Sequence, residues 1–366
     1  MAHSNDPIAS VLQDPLWAAR QSTCPVVAFA GNNIPVELIH ASGCFPLQLP
    51  TAPRAGYEQA DRYLEARFDP MSRCALDQVL CGELDLARLL VLPRSVDSWQ
   101  RLYYYACELT RSFAERIPEP FLYDVLHTPF ESSAEYNLTS TQLLADRLSL
   151  LGGPITDAEL TRSIARYNAL REQLWRMTAL RHAVPCKLSG VSALELYTAA
   201  QRLPLEVFES ALAARLAGPA EVAPGVRTLL VGSAHDTPAL HHMIARAGGQ
   251  VVADHHARGD LLFGPKLRET AAPLATVSEH YHLHSWSVRS FPLNVDPLLD
   301  LAARSGAHVA IFFYYDEEEA LTWDYAEQAA ALRTLGIPSL LLPREAYPPS
   351  SELEPQLRAF FQSLQP

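Results

Sequence analysis

The stretch "VLPRSVDSWQRLYYYA", Val91 to Ala106, decides how the fold is read. It continues an apolar run, Leu89 to Leu92, that stops at Pro93. A short polar turn, Arg94 to Ser98, then opens a helix-like stretch with a block of tyrosines. A strand buried on both faces of a parallel sheet reads as a continuous apolar run, and a strand feeding directly into a helix is half of a βαβ unit. Ligands of such proteins sit where strands hand over to helices. Yet the turn, with Ser95, Val96, Asp97 and Ser98, offers no evident catalytic set.

The same alternation extends to both sides. "PVVAFA" predicts a strand over 25–30, and "PVELIHAS" a short helix with proline at its start and Gly43 past its end. "CFPLQL" predicts a second strand, "SRCALDQVLCGEL" a helix, "LARLLVLP" the third strand, "DSWQRLYYYACELTRSFAE" a long helix and "PFLYDVLH" a fourth strand. Strands separated by helices imply a parallel sheet. From about Ser132 to Leu216 the pattern is helical, and Thr156 with Glu159 forms a capping box. The small-residue segment Gly218 to Gly225 reads as a boundary. Beyond it the first pattern returns, through "VRTLLVGS", "TPALHHMIARAG", "QVVADH", "AHVAIFFYY", "DYAEQAAALRTLG", "IPSLLLP" and "LEPQLRAFFQSL". The expected fold is α/β, two Rossmann- or flavodoxin-like lobes with parallel sheets joined by a helical section. The expected domains are residues 20–130, 131–220 and 221–366.

Bulk properties narrow the function. The 366 residues suit two or three domains, and 48% hydrophobic content suits buried cores. No apolar run reaches the length of a membrane span. The first residues lack the basic start and apolar core of a secretory signal, so a cytoplasmic protein is expected. A net charge of −12 argues against nucleic acid, whose phosphates need a basic face. The six cysteines include no C-x-x-C pair, which removes the usual zinc and thioredoxin-like spacings and leaves buried thiols as the expectation.

Ligands of open parallel sheets gather beyond the strands' carboxyl ends. That rule selects five loops, Gly31–Asn33, Phe68–Ser72, Arg94–Ser98, Ser233–Thr237 and Tyr314–Glu318. Their candidate residues are Asn32, Asn33, Asp69, Ser95, Val96, Asp97, Ser98, Ser233, His235, Tyr315 and Asp316. "VGSAHDTP" lacks a phosphate-binding signature and reads as an ordinary turn with Thr237 as cap and Pro238 at the first helical position. "HYHLH", His280 to His284, would set three imidazoles on one face of a strand, but its flanks favour loop or surface histidines. The run Asp316 to Glu319 suits a helix N-terminus, with Asp316 nearest the strand end. Cys74 and Cys81, seven residues apart on a helix, share a face expected to be core, whereas Cys44 starts a strand and could reach a site.

Six segments in colinear order carry a family resemblance: Gly31–Leu49, Asp85–Leu109, Leu160–Met177, Leu188–Leu196, Val231–Asp260 and Ala310–Leu342. Together they resemble subunits of the 2-hydroxyacyl-CoA dehydratase and benzoyl-CoA reductase family, in the manner of the 2-hydroxyglutaryl-CoA dehydratase D-component. The resemblance implies a two-lobed α/β subunit that works with a homologous second subunit on an acyl-CoA. It implies a [4Fe-4S] cluster held by three strand-end cysteines, and a separate ATP-dependent activator that supplies one electron. The resulting ketyl-type radical allows loss of a 2-hydroxyl group or reduction of an aromatic ring. The chain has no P-loop, which fits an activator that carries the ATP.

At the matching positions this sequence has Asp69 before Pro70, Val96 before Asp97 and Tyr315 before Asp316. Clusters need thiolates, with occasional other donors. Valine cannot ligate, Asp69 is one hard donor, Tyr315 is a weak one, and Cys44 and Cys74 are the nearest replacement thiols. A usual cluster is therefore in doubt; Asp69, Cys44 and Cys74 are the metal-ligand candidates, and the other metal reading is a different ion in a polar pocket of Asp69, Asp97, Tyr315 and Asp316, which are also the catalytic candidates. Three functional readings stay open: a subunit paired with a cysteine-retaining partner; a cluster-free enzyme or ligand-binding protein with a polar or metal-binding pocket between its lobes; and an inactive structural paralogue.

Overall fold

The computed structural model describes residues 6–54, 56–65, 67–113, 117–218 and 224–364. Most of the expected Gly218–Gly225 boundary and the far end of the tyrosine-rich stretch lie outside them. The chain begins with α1 (Pro7–Gln13) and α2 (Trp17–Arg20), followed by β1 (Val26–Phe29), α3 (Val36–Ala41), β2 (Phe45–Gln48), α4 (Pro70–Leu80), β3 (Ala87–Pro93), α5 (Asp97–Phe113) and β4 (Glu119–Tyr123). Four helices follow, α6 (Glu131–Ser149), α7 (Asp157–His182), α8 (Gly190–Ala200) and α9 (Leu205–Leu216). The rest is β5 (Val226–Gly232), α10 (Ala239–Ala247), β6 (Gly249–His255), α11 (Pro273–His284), α12 (Asp296–Ser305), β7 (Val309–Tyr315), α13 (Glu319–Thr322), α14 (Tyr325–Thr334), β8 (Ser339–Glu345) and α15 (Glu354–Ser363).

The chain divides into two compact units. The first comprises Met1–Glu172, Ala199–Ala211 and Phe263–Phe291; the second comprises Gln173–Thr198, Leu212–Leu262 and Pro292–Pro366.

The first unit holds a four-stranded parallel sheet in the order β2-β1-β3-β4. β1 is buried at every position and β3 at all but one, as central strands covered on both faces must be. β4 lies at the edge, more exposed and with Pro120 inside it, a position where a missing N–H is tolerated. The second unit repeats the arrangement as β6-β5-β7-β8, all parallel, with the seven residues of β7 entirely buried. Both orders are the 2-1-3-4 order of flavodoxin-like sheets, so the fold is the expected α/β pair. In each sheet the order reverses beside its first strand, between β1 and β3 and between β5 and β7. In open parallel sheets the loops diverge at such a reversal, and ligands bind in the crevice it creates.

Local signals account for many helix starts. Asp69 caps α4 by accepting a hydrogen bond from the Ser72 amide at 3.0 Å, with Pro70 at the first helical position. The Thr156–Glu159 capping box forms as expected: the Thr156 amide donates to Glu159 Oε2 at 3.0 Å and the Glu159 amide donates to Thr156 Oγ1 at 3.2 Å.

Several expectations are corrected. α10 starts at Ala239, so Pro238 is the cap and Thr237 caps nothing. The loop runs longer because His235 and Asp236 are held by Tyr315 and Tyr347. "HYHLH" closes the helix α11 in the first unit, and His280 and His282 are buried there, not in a surface loop. At helical pitch neighbours sit three and four apart, so His280 faces His284, with ring centroids 5.4 Å apart, and His282 points elsewhere. Cys74 is core, but α4 ends at Leu80 and Cys81, at its C-cap, is exposed.

Candidate functional site

In the first unit the crevice loops are Gly31–Asn33 after β1 and Arg94–Ser98 after β3. Asn33 is buried, and its side-chain amide donates to Ser285 Oγ at 3.0 Å and to the Trp286 carbonyl at 2.7 Å. Ser287 Oγ donates to the Ser95 carbonyl at 2.9 Å, and Arg289 reaches Asp97 at 3.3 Å. The segment Ser285–Arg289 thus crosses both loops as a strap, with four polar contacts. Val96 is half-buried and Asp97 exposed on the turn between them.

Beside this strap, past the end of β4, lies His127, which the sequence reading missed. It is buried, and neither ring nitrogen has a partner among the described residues. Burial, helped by His282, Arg289 and Arg94, brings its pKa down to about 4, so the ring is neutral near pH 7. Arg94 is held by Asp124 at 2.9 Å and His282 Nε2 donates to the Thr128 carbonyl at 2.8 Å. The group therefore offers one uncharged imidazole beside two arginines, Arg94 and Arg289, that already have partners. A lone histidine after an apolar strand gave no signal in the sequence.

In the second unit the crevice loops follow β5 and β7. Gly232 has φ +119°, and a Cβ there would lie 2.3 Å from the Phe313 carbonyl, so only glycine fits. Next to it, the Ser233 amide donates to that carbonyl at 2.9 Å, and Ser233 Oγ accepts from the Tyr315 amide at 3.0 Å. The two loops are stitched together by Ser233. The Tyr315 hydroxyl lies 3.1 Å from His235 Nδ1, so three of the expected residues meet. Burial, with Asp236 and Glu318 adding to it, holds the Tyr315 hydroxyl well above its ordinary pKa, so it stays a phenol. His235 is kept neutral by burial and by His256 and His241. Asp316 turns away and accepts from Arg344 Nε at 2.6 Å.

Behind His235 lies a buried network that the sequence did not announce. Asp254 Oδ1 is 2.9 Å from His241 Nε2, and Asp254 Oδ2 accepts from Arg181 at 2.9 Å. Arg181 also donates to Asp260 at 2.8 Å, and Tyr197 donates to the same carboxylate at 2.8 Å. Burial alone would protonate Asp254, but His241 and Arg181 outweigh it and hold the carboxyl well below the usual range.

The structure keeps the metal candidates apart. Asp69 spends both oxygens on α4, one on the Ser72 amide and the other on Ser72 Oγ at 2.6 Å. Cys74, further along α4, points its sulfur at the Ala52 carbonyl, 3.4 Å away and past the carboxyl end of β2. Cys44 lies at the amino end of β2. Among the described residues no three His, Cys, Asp or Glu side chains converge as metal ligands would. An iron–sulfur cluster, which needs thiolate donors, does not fit the chemistry of Asp69, Val96 and Tyr315: a capping carboxylate, a valine and a buried phenol hydrogen-bonded to histidine.

Two flavodoxin-type parallel sheets, with polar loops tied together at their strand ends, define the class as an α/β protein of two such units. The family profile of the 2-hydroxyglutaryl-CoA dehydratase D-component matches residues 32–364, and the chain belongs to that family. Comparison with curated proteins gives no match. Among the described residues no helix is long and apolar enough to cross a membrane.

Proposed function

We propose that this chain is the cluster-free member of a 2-hydroxyacyl-CoA dehydratase-like complex. It pairs with a homologous, cysteine-retaining subunit and acts with it on an acyl-CoA, and an ATP-dependent activator serves the pair. The observation that carries this reading is a family match over nearly the whole chain; it is supported by Asp69, Val96 and Tyr315 standing where the resemblance sets the relatives' cluster thiolates. Asp69 and Tyr315 are engaged in hydrogen bonds within the chain, which supports a structural use of both. The turn after Val91, under its strap, then lines the substrate pocket or the partner interface.

The test is anaerobic co-expression with a cysteine-bearing family member from the same source. The expected result is a complex that carries iron and sulfide only in the partner. That complex converts a 2-hydroxyacyl-CoA to the enoyl-CoA and water when activator, ATP and reductant are present, while this chain alone does not. About four irons bound to this chain alone would overturn the cluster-free assignment. Failure to form any complex, with a stoichiometric metal other than iron in the isolated chain, would favour a cluster-free enzyme instead.

A further inference from the structure

The first unit contains a cavity of about 370 Å³, lined by side chains of α3, α7, the start of β2 and the α8–α9 turn. It adjoins the amino end of β2, opposite to the carboxyl end of that strand, and is independent of the dehydratase reading. The size falls within the range of small-molecule sites. Phe29, Val36, Phe45, Leu203 and Phe263 supply an apolar body.

Two polar groups converge on it. Tyr167 is 5% exposed, lines the cavity, and its hydroxyl has no hydrogen-bond partner among the described residues. His40 also lines the cavity, its ring edge-on to Tyr167 with centroids 5.7 Å apart. The tautomer of His40 follows from its neighbour. Ser163 Oγ has one proton and donates it to the Glu37 carbonyl at 2.8 Å, so it can only accept from His40 Nδ1, 3.0 Å away. Nδ1 therefore carries the hydrogen. A neutral ring then presents Nε2 as an acceptor, and burial shifts His40 toward that neutral form.

Charge excludes anions. The one ionised group on the lining is Glu206, and its cation, Arg166 at 3.0 Å, is shared with Glu209 at 3.2 Å. Among the described residues that line it no spare positive charge faces the space, so a phosphate or carboxylate entering it would be desolvated without a counter-ion.

We propose that this cavity binds a small, uncharged, largely apolar molecule bearing one hydroxyl or amide group, which accepts from the Tyr167 hydroxyl and donates to His40 Nε2. Calorimetric titration of the full chain with 2-naphthol, 2-methoxynaphthalene and 2-naphthoate tests it. These probes share one body and differ in the donor and the charge.

The expected result is one site that prefers 2-naphthol over the methoxy probe by about tenfold, the scale of one hydrogen bond, and takes 2-naphthoate more weakly still. His40→Phe should level the preference between naphthol and the methoxy probe. Tyr167→Phe should weaken both by a similar factor, and Ala200→Trp, which fills the space, should abolish binding. Absence of saturable naphthol binding, or equal binding by all three variants, overturns the proposal. Should a variant misfold, alkylation of Cys24 by iodoacetamide in the parent chain decides, because Cys24 is exposed and lines the cavity. Bound 2-naphthol slows that reaction if the site is correct, and an unchanged rate overturns it.

Discussion

Asp69 spends both of its side-chain oxygens on Ser72 at the start of α4. If capping is its whole role, Asp69→Ala lowers stability by about 1 kcal/mol, while Asp69→Asn, an equally good cap, changes it little. Urea unfolding of the two variants measures this. A loss in the asparagine variant as large as in the alanine one would mean that the charge does more than cap. A second residue-scale case is Glu37, fully buried, which accepts from Arg171 at 2.6 Å and from Tyr281 at 2.8 Å. Burial opposes its ionisation, yet Arg171 outweighs it and holds the carboxyl below its ordinary value. Arg171→Met strands that charge and is expected to cost about 3–5 kcal/mol. The double variant Glu37→Gln with Arg171→Met should recover part of the loss, read from the same denaturant curves. Neither partner stood out in the sequence, because the two are 134 residues apart and each sits in an ordinary helical pattern. Asp69, read as a site candidate, proved to be the cap of α4, whereas Thr156 with Glu159 was legible as a capping box because capping is local.

At the scale of elements, the strands were the most legible part of the chain. β1, β3, β5 and β7 are apolar runs because parallel strands are buried on both faces, and the helices between them force the parallel order. α11 was illegible for a related reason. Its histidines and tyrosine alternate with period two, while its burial follows contacts with α6 rather than an apolar stripe. The strap was hidden as well, since Asn33 meets Ser285 across 252 residues. Close approaches between elements are likewise invisible in sequence, and Gly152, after α6, makes one. A Cβ on Gly152 would lie 2.1 Å from the Ser42 carbonyl and 2.9 Å from Cys44 Sγ, and the backbone carbonyl has little room to yield. Gly152→Ala is therefore expected to cost about 1–3 kcal/mol by overpacking. At the adjacent Gly153 a Cβ would come no nearer than 3.9 Å to Ser42, so Gly153→Ala should change stability by less than about 0.5 kcal/mol. Thermal melts of the pair separate a packing constraint from a general need for glycine in the turn.

For the whole molecule, the distinctive term is a set of histidines folded away uncharged. Burial brings His127 and His256 down to about 4 and His280 to about 3, and all three are nearly inaccessible. In the unfolded chain the same rings take up protons below about pH 6.5. Between about pH 6.5 and 4 the unfolded state thus binds more protons than the folded one, and stability must fall as pH falls. Each such ring contributes a slope of up to about 1.4 kcal/mol per pH unit across that window. Glu37 works in the same direction further down: its folded pKa is depressed, so its contribution is complete above the unfolded carboxylate value of about 4.3 and is lost as pH drops below it. The expected curve falls in two stages, the first beginning well above the range where carboxylates titrate. Urea midpoints taken from pH 8 to 4 would trace it. His127→Gln is the sharpest variant, because neither nitrogen of His127 has a partner to lose among the described residues. That substitution should flatten the first stage by about one proton's worth of slope and leave the lower stage unchanged. An unchanged slope would mean that His127 already carries its proton in the folded protein, and that its place beside the strap is charged rather than neutral.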